Sequence, residues 1–125
     1  MAKKKILVVD DECAFTRMMK LVLEQSGTYE VFCENNACRA VAAANACLPD
    51  LILLDVVMPE LDGGAVASLL QAEPRLKNVP IVFLTALVGS QEALAGPLTG
   101  GGYRFLGKLA SDTELLQCIG ENLQA

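Results

Sequence analysis

Histidine and tryptophan are absent from this 125-residue chain, and two tyrosines and four phenylalanines are its only aromatics. Without histidine, Ser-His-Asp and Cys-His nucleophilic sites and imidazole zinc centres are excluded, and the chain cannot itself carry a phosphohistidine. Basic residues are scarce as well: 10 Lys+Arg stand against 15 Asp+Glu, a formal net charge of −5, with a sequence pI near 4.6. That balance removes the general attraction for nucleic acid or an anionic membrane surface, so neither is expected as a partner. Long apolar runs are missing too. Lys3, Lys4 and Lys5 followed by Ile6–Val9 mimic a secretory signal only faintly, because Asp10 and Asp11 end the apolar run. No segment approaches the ~18 uncharged apolar residues of a bilayer span. The 53% hydrophobic content therefore belongs to a core, and the length suits a single domain over residues 1–125. Cys13, Cys33, Cys38, Cys47 and Cys118 form no C-x-x-C pair and sit in apolar or Ala-rich surroundings. They read as reduced, buried small hydrophobes of a cytoplasmic protein, with a redox-sensing thiol as the alternative.

What is present is a rhythm of short apolar runs and helix-like stretches. Ile6–Val9, Leu51–Leu54, Ile81–Leu84 and Tyr103–Leu106 are too short for helices. The first three lack alternation, as strands of a parallel sheet covered on both faces do. Tyr29–Cys33 alternates more and suits a strand nearer an edge. Phe15, Met18, Met19, Val22 and Leu23 recur at i, i+3, i+4, i+7 and i+8, an apolar helical stripe stopped by Gly27. Ala37–Ala46 before Pro49, and Gly64–Ala72 before Pro74, predict two more helices. Ser111 with Glu114 three residues on opens a last helix through about Leu123. The stretch 89–102 carries five glycines and Pro97, leaving two turns of a fourth helix at about Ser90–Ala95. The alternation predicts a doubly wound α/β domain with right-handed crossovers, whose ligand site lies beyond the carboxyl ends of the strands.

The predicted strand ends carry the chemistry. Asp10, Asp11 and Glu12 follow the first strand, Asp55 the third, Thr85 the fourth and Lys108 the fifth. Adjacent acids after a strand also suit the start of a helix, where negative charge complements the dipole. Asp55 is more telling, because Leu51–Leu54 and Val56–Met58 would otherwise read as one apolar run, and a buried charge needs a partner. Lys108 poses the same problem with opposite sign. If these ends are neighbours, a hard divalent cation held by carboxylate oxygens satisfies them together. Three acids with few other donors suit Mg²⁺, which keeps several waters and bridges carboxylate to phosphate. Asp55 could then attack a phosphoryl group while Lys108 neutralises its oxygens and Thr85 donates a hydrogen bond.

Val8-Val9-Asp10-Asp11, Leu53-Leu54-Asp55-Val56-Val57-Met58-Pro59-Glu60-Leu61-Asp62-Gly63, Leu84-Thr85-Ala86 and Phe105-Leu106-Gly107-Lys108 together resemble the receiver domain of two-component response regulators. The resemblance covers essentially the whole chain. It implies a flavodoxin-like (CheY-like) five-stranded parallel sheet of order 2-1-3-4-5 with helices on both faces. It implies that Asp55 accepts phosphate from the phosphohistidine of a sensor histidine kinase or histidine phosphotransfer protein. Asp11 and Asp55 would bind Mg²⁺ directly, Asp10 largely through water, and the Val57 backbone carbonyl would be a further ligand. Thr85 and Lys108 would contact phosphoryl oxygens. In such domains Thr85 and Phe105 would form the switch, acting on the face of fourth helix, fifth strand and fifth helix that addresses a downstream output protein or domain. Phe105 also suits plain core packing.

Three departures from the family pattern stand out. Leu109 replaces the proline that usually follows the lysine, which predicts a trans bond or local strain there. The Gly-rich fourth helix suits a rigid dimer interface poorly, so a monomer or weak dimer is expected. Val57 and Leu87 offer no polar group to orient a hydrolytic water, which predicts a slowly lost phosphoryl group. Val57 also argues against an aspartyl-phosphate hydrolase, which needs an acid there. The chain is therefore expected to be no enzyme beyond catalysing its own phosphorylation and dephosphorylation. A flavin carrier of the same fold is disfavoured by the acidic first turn and by having only Tyr29 and Tyr103 for ring stacking. A degenerate receiver serving as a protein-binding module remains the other alternative. The end at Ala125 fits either a complete single-domain regulator or part of a longer protein.

Overall fold

Each apolar run forms a strand in the computed structural model, which describes residues 3–56, 63–85, 104–108 and 111–124. The strands are β1 (Lys4–Val9), β2 (Tyr29–Glu34), β3 (Leu51–Asp55), β4 (Ile81–Thr85) and β5 (Arg104–Gly107). All pairings are parallel and the order is β2-β1-β3-β4-β5, as the resemblance implied. Every residue of β3 and β4 is buried. Helices on both faces account for the missing alternation. On one face Leu7, Val9, Ile52, Leu54 and Phe83 join a core with α2 (Ala40–Cys47) and α3 (Gly63–Ala72). On the other, Ile6, Val8, Leu53, Val82 and Leu84 join Met19 and Leu23 of α1 (Cys13–Glu24) and Leu115 and Ile119 of α4 (Asp112–Gln124). α4 is the last helix of the sequence reading. The helix expected at 90–95 and the strand residue Tyr103 lie outside the described residues.

The helix ends follow from local chemistry. Gly27 takes φ 76° just after α1, the left-handed turn that a glycine permits. α2 begins later than expected, because Ala37–Arg39 forms a 3₁₀ turn whose Cys38 N–H donates to the Asn36 side chain (2.9 Å). Its stop is set by Leu48, left-handed at φ 49°, rather than by Pro49 alone. At α4 the expected capping box is complete. Ser111 Oγ accepts from the Glu114 N–H (3.1 Å) and the Glu114 carboxylate from the Ser111 N–H (2.9 Å).

Two expectations need correction. In α1 the buried positions are Thr16, Met19 and Leu23, while Met18 is 47% exposed. The stripe is narrower than five apolar residues, and a threonine occupies its first buried position. Among the cysteines only Cys118 is buried. Cys47 is half-buried, and Cys13, Cys33 and Cys38 are exposed, on the first turn of α1, on the edge strand and in the 3₁₀ turn. An apolar neighbourhood in sequence does not bury a residue that faces outward. Partial desolvation pushes the Cys33 and Cys47 thiols up, away from the reactive thiolate. That removes support for a redox-sensing role at those two.

The outer edge of β2 is covered by a side-chain pair. Lys4 and Asp10 of the β1 segment donate to the Thr28 and Glu34 carbonyls (3.1 Å each), so alternate residues of β2 face β1 and Val31 faces outward. Val31 nevertheless has partners. Its N–H donates to Glu24 Oε2 (3.0 Å), and its carbonyl accepts from Lys20 Nζ (2.9 Å). Lys20 and Glu24, one turn apart on α1, are themselves paired at 3.0 Å.

Candidate functional site

The sheet register brings the polar residues at the strand ends to one rim. Val9 is level with Leu54, so Asp10 stands beside the end of β3 where Asp55 sits. Asp55 is level with Leu84, and Thr85 with Gly107, which places Thr85 and Lys108 on the next two strand ends. The Lys108 N–H donates to the Thr85 carbonyl (2.8 Å), continuing the ladder one residue past β5. Asp10, Asp55 and Thr85 are all buried, whereas Asp11 is exposed.

Lys108 is the centre of the charge arrangement. Its ammonium lies 2.7 Å from Asp10 Oδ2, 3.1 Å from Glu12 Oε1 and 3.5 Å from Asp55 Oδ1. It also stands 4.9 Å from the centroid of the Phe15 ring. Burial alone would pull the Lys108 pKa down. Hydrogen bonding to Asp10 and Glu12, with the fields of Asp10 and Asp55, outweighs that and raises it, so Lys108 is a cation at neutral pH.

One ammonium does not complete the site. Asp10 Oδ1 accepts the Glu12 N–H (3.0 Å), and the buried Oδ2 has the Lys108 ammonium at 2.7 Å as its one partner among the described residues. One carboxylate oxygen each from Asp10, Asp11 and Asp55 lie within 4.8 Å of one another. Three carboxylates, hard oxygen donors gathered around a single ammonium, fit a divalent cation of the Mg²⁺ class. These residues can therefore hold such an ion.

The start of α3 approaches the end of β3 closely. Gly63, the first residue of α3, donates its N–H to the Val56 carbonyl (2.8 Å). A Cβ on Gly63 would lie 2.6 Å from the Asp55 carbonyl oxygen and 2.9 Å from Val56 Cα, so only glycine fits against that backbone. Phe105, the expected switch aromatic, is half-buried on the α2/α3 face, its ring 5.2 Å from that of Phe83 at 44°. The expected carbonyl ligand Val57, Leu87 and the departure at Leu109 lie outside the described residues.

The structure thus brings Asp10, Asp11, Asp55, Thr85 and Lys108 to one rim, as the strand-end reading required. Sequence reasoning missed the roles of neighbours. Glu12 is a second carboxylate on Lys108, and the Phe15 ring faces the ammonium. The Asn35 Nδ2 donates to the Asp10 carbonyl (2.8 Å) and to Thr16 Oγ1 (3.0 Å). Asn35 follows β2, the strand beside β1, so strand order was the signal that could have found it.

Comparison with known proteins agrees with this geometry. Residues 6–120 match the family model described as the response regulator receiver domain. The chain is 40% identical over 111 residues to the response regulator PleD of Caulobacter vibrioides, covering 89% of this chain but 24% of that protein. The fold superposes on the chemotaxis protein CheY4 of Vibrio cholerae with a TM-score of 0.82 at 28% identity, covering 97% of this chain and 99% of that one. It superposes equally, with a TM-score of 0.82 at 28% identity and coverage of 99% and 100%, on the receiver domain of the sensor histidine kinase PA1611 of Pseudomonas aeruginosa. That structure is described with a magnesium ion coordinated in its active-site cleft.

Proposed function

The chain belongs to the response regulator receiver domain family, and from that premise we propose that it is a phospho-accepting signalling switch with Asp55 as the acceptor. The observation that carries this reading is Asp55 itself. It is a carboxylate 4% exposed at the end of a fully buried strand, 3.5 Å from the Lys108 ammonium and clustered with the carboxylates of Asp10 and Asp11. Such a carboxylate is shielded from bulk water yet lies at the sheet rim where a donor can approach.

In the proposed reaction a carboxylate oxygen of Asp55 forms a bond to phosphorus as the P–N bond of a partner's phosphohistidine breaks, and the electron pair leaves with the imidazole nitrogen. Lys108 offsets the negative charge on the transferring oxygens, and the Thr85 hydroxyl donates to one of them. Mg²⁺, held by Asp10, Asp11 and Asp55 with the Val57 carbonyl, would supply further charge neutralisation and orientation. Asp10 orients Lys108 through the 2.7 Å ion pair, and Glu12 holds the ammonium from the solvent side.

On this reading residues 1–125 form one receiver domain, acting in the cytoplasm as a monomer or weak dimer. It catalyses only its own phosphorylation and dephosphorylation. The donor is a sensor histidine kinase or a histidine phosphotransfer protein, and Thr85 and Phe105 pass the state of Asp55 to an output partner through the face around β5 and α4. Among the described residues no helix is long and apolar enough to cross a membrane. Incubation with Mg²⁺ and a small acyl phosphate tests the reading. The wild-type protein should gain the mass of one phosphoryl group, and neither Asp55→Ala nor chelated wild-type protein should. Absence of any gain would leave a protein-binding module as the function.

A further inference from the structure

Asn35 and Thr16 have no part in the reaction above, yet they hold the backbone that joins two of its acids. Thr16 is 2% exposed, in a helix stripe otherwise filled by Met19 and Leu23. A hydroxyl buried there needs partners. Thr16 Oγ1 donates to the Cys13 carbonyl (3.1 Å) and accepts from Asn35 Nδ2 (3.0 Å). The other proton of the same amide goes to the Asp10 carbonyl (2.8 Å). Chemistry sets the orientation of the Asn35 amide. The Asp10 carbonyl only accepts, and the one proton of Thr16 is committed to Cys13, so the group facing both must be the NH₂.

Asp10 is consequently tied to the end of β2 through both of its peptide groups. Its N–H donates to the Glu34 carbonyl (3.1 Å) and its carbonyl accepts from Asn35. The peptide between Asp10 and Asp11 is a rigid plane, so anchoring its oxygen fixes the direction in which the chain enters Asp11. The Asp11 side chain is exposed, and among the described residues no hydrogen bond or ion pair holds its carboxylate. Its approach to Asp10 and Asp55 is therefore set by the backbone.

We propose that Asn35, propped by Thr16, is a positioning residue for the divalent cation, holding the Asp10–Asp11 peptide in the plane that delivers the Asp11 carboxylate to the cluster. The proposal rests on the assignment of that cation to Asp10, Asp11 and Asp55. Contacts one step behind the ligands are worth about 10–100-fold in metal affinity, and one acting through a backbone carbonyl belongs at the lower end, about tenfold.

The test is a calorimetric Mg²⁺ titration of wild type, Asn35→Leu, Thr16→Val and Thr16→Ser, with thermal midpoints and Asp10 amide exchange measured on the metal-free proteins. Asn35→Leu should bind Mg²⁺ about tenfold more weakly and exchange the Asp10 amide, which donates to the Glu34 carbonyl, faster. Thr16→Val should weaken binding in the same direction, and Thr16→Ser, which keeps the hydroxyl, should bind like wild type. Wild-type affinity in both Asn35→Leu and Thr16→Val overturns the proposal alone, including the case in which only their thermal midpoints fall. A wild-type protein that binds no Mg²⁺ overturns the cation assignment and this proposal with it. Should Asn35→Leu fail to fold, the contrast between Thr16→Val and Thr16→Ser decides the matter.

Discussion

At the scale of single residues, the site is a problem in placing charge. Asp10 and Asp55 are carboxylates with almost no access to water, and Lys108 lies within 3.5 Å of both. Buried charge at the ends of β1, β3 and β5 was legible in the sequence, because Asp55 interrupts an apolar run and Lys108 follows one. The contacts of Glu12 and Asn35 were not legible, since each depends on which loop lies beside which strand end. The cysteines show the opposite failure: composition suggested burial, while outward-facing positions on α1 and β2 left Cys13 and Cys33 exposed. Residue chemistry also bears on how long a phosphoryl group persists. Val57 and Leu87 lie two residues beyond the acceptor and the hydroxyl in sequence, and their side chains carry no polar atom to orient water. The double variant Val57→Asn, Leu87→Glu should lose phosphate on the order of tenfold faster or more, the scale at which a positioned polar group assists a proton transfer. Time courses of the phosphorylated protein after removal of the donor would measure it, and an unchanged rate would count against shielding by apolar side chains.

At the scale of elements, short apolar runs located the strands, periodicity located α1, the stretches before Pro49 and Pro74 located α2 and α3, and capping chemistry located the start of α4. The Ser111–Glu114 box set the start of α4, whereas the 3₁₀ turn before α2 left no clear trace in an Ala-rich run. Thr16 in the buried stripe of α1 was hidden because helical periodicity was sought among apolar residues. α1 also closes the sheet edge. Its Lys20–Glu24 pair occupies the outward N–H and carbonyl of Val31, groups that an exposed edge strand would offer to another chain. The Val31 amide should therefore exchange more slowly than the outward amides of Tyr29 and Cys33. Glu24→Ala should speed its exchange on the order of tenfold by opening that bond locally. The pH dependence has a definite sign. The Val31 N–H, then Lys20, hold the Glu24 carboxyl below its ordinary value of 4.5, so the clamp is complete above that value and is lost as pH falls through the lowered one. Amide exchange followed by NMR, corrected for intrinsic rates, should show Val31 protection constant near neutrality and declining only below pH 4.5. Equal exchange at Val31 and Cys33 near neutrality would show that the clamp does not form in solution.

At the scale of the whole molecule, strand order converts separate sequence signals into one site. Order β2-β1-β3-β4-β5 makes the ends of β1, β3, β4 and β5 consecutive neighbours, so acids, hydroxyl and ammonium meet on one rim although they are spread from Asp10 to Lys108. That order came from the resemblance of four motifs, since alternation of strands and helices alone leaves several orders open. The net charge of −5 acquires a location, because Asp10, Asp11, Glu12 and Asp55 crowd the rim around Lys108. The missing histidine acquires a meaning as well: on the proposed reading, the phosphohistidine belongs to another protein. The central claim is that phosphate is carried by Asp55, and reductive trapping tests it most directly. Borohydride treatment of the phosphorylated protein converts an aspartyl phosphate to homoserine, and peptide mass spectrometry then locates the change. The account predicts homoserine at position 55 and at no other aspartate; trapping at Asp10 or Asp11, or phosphate stable to borohydride on a serine or threonine, would contradict it.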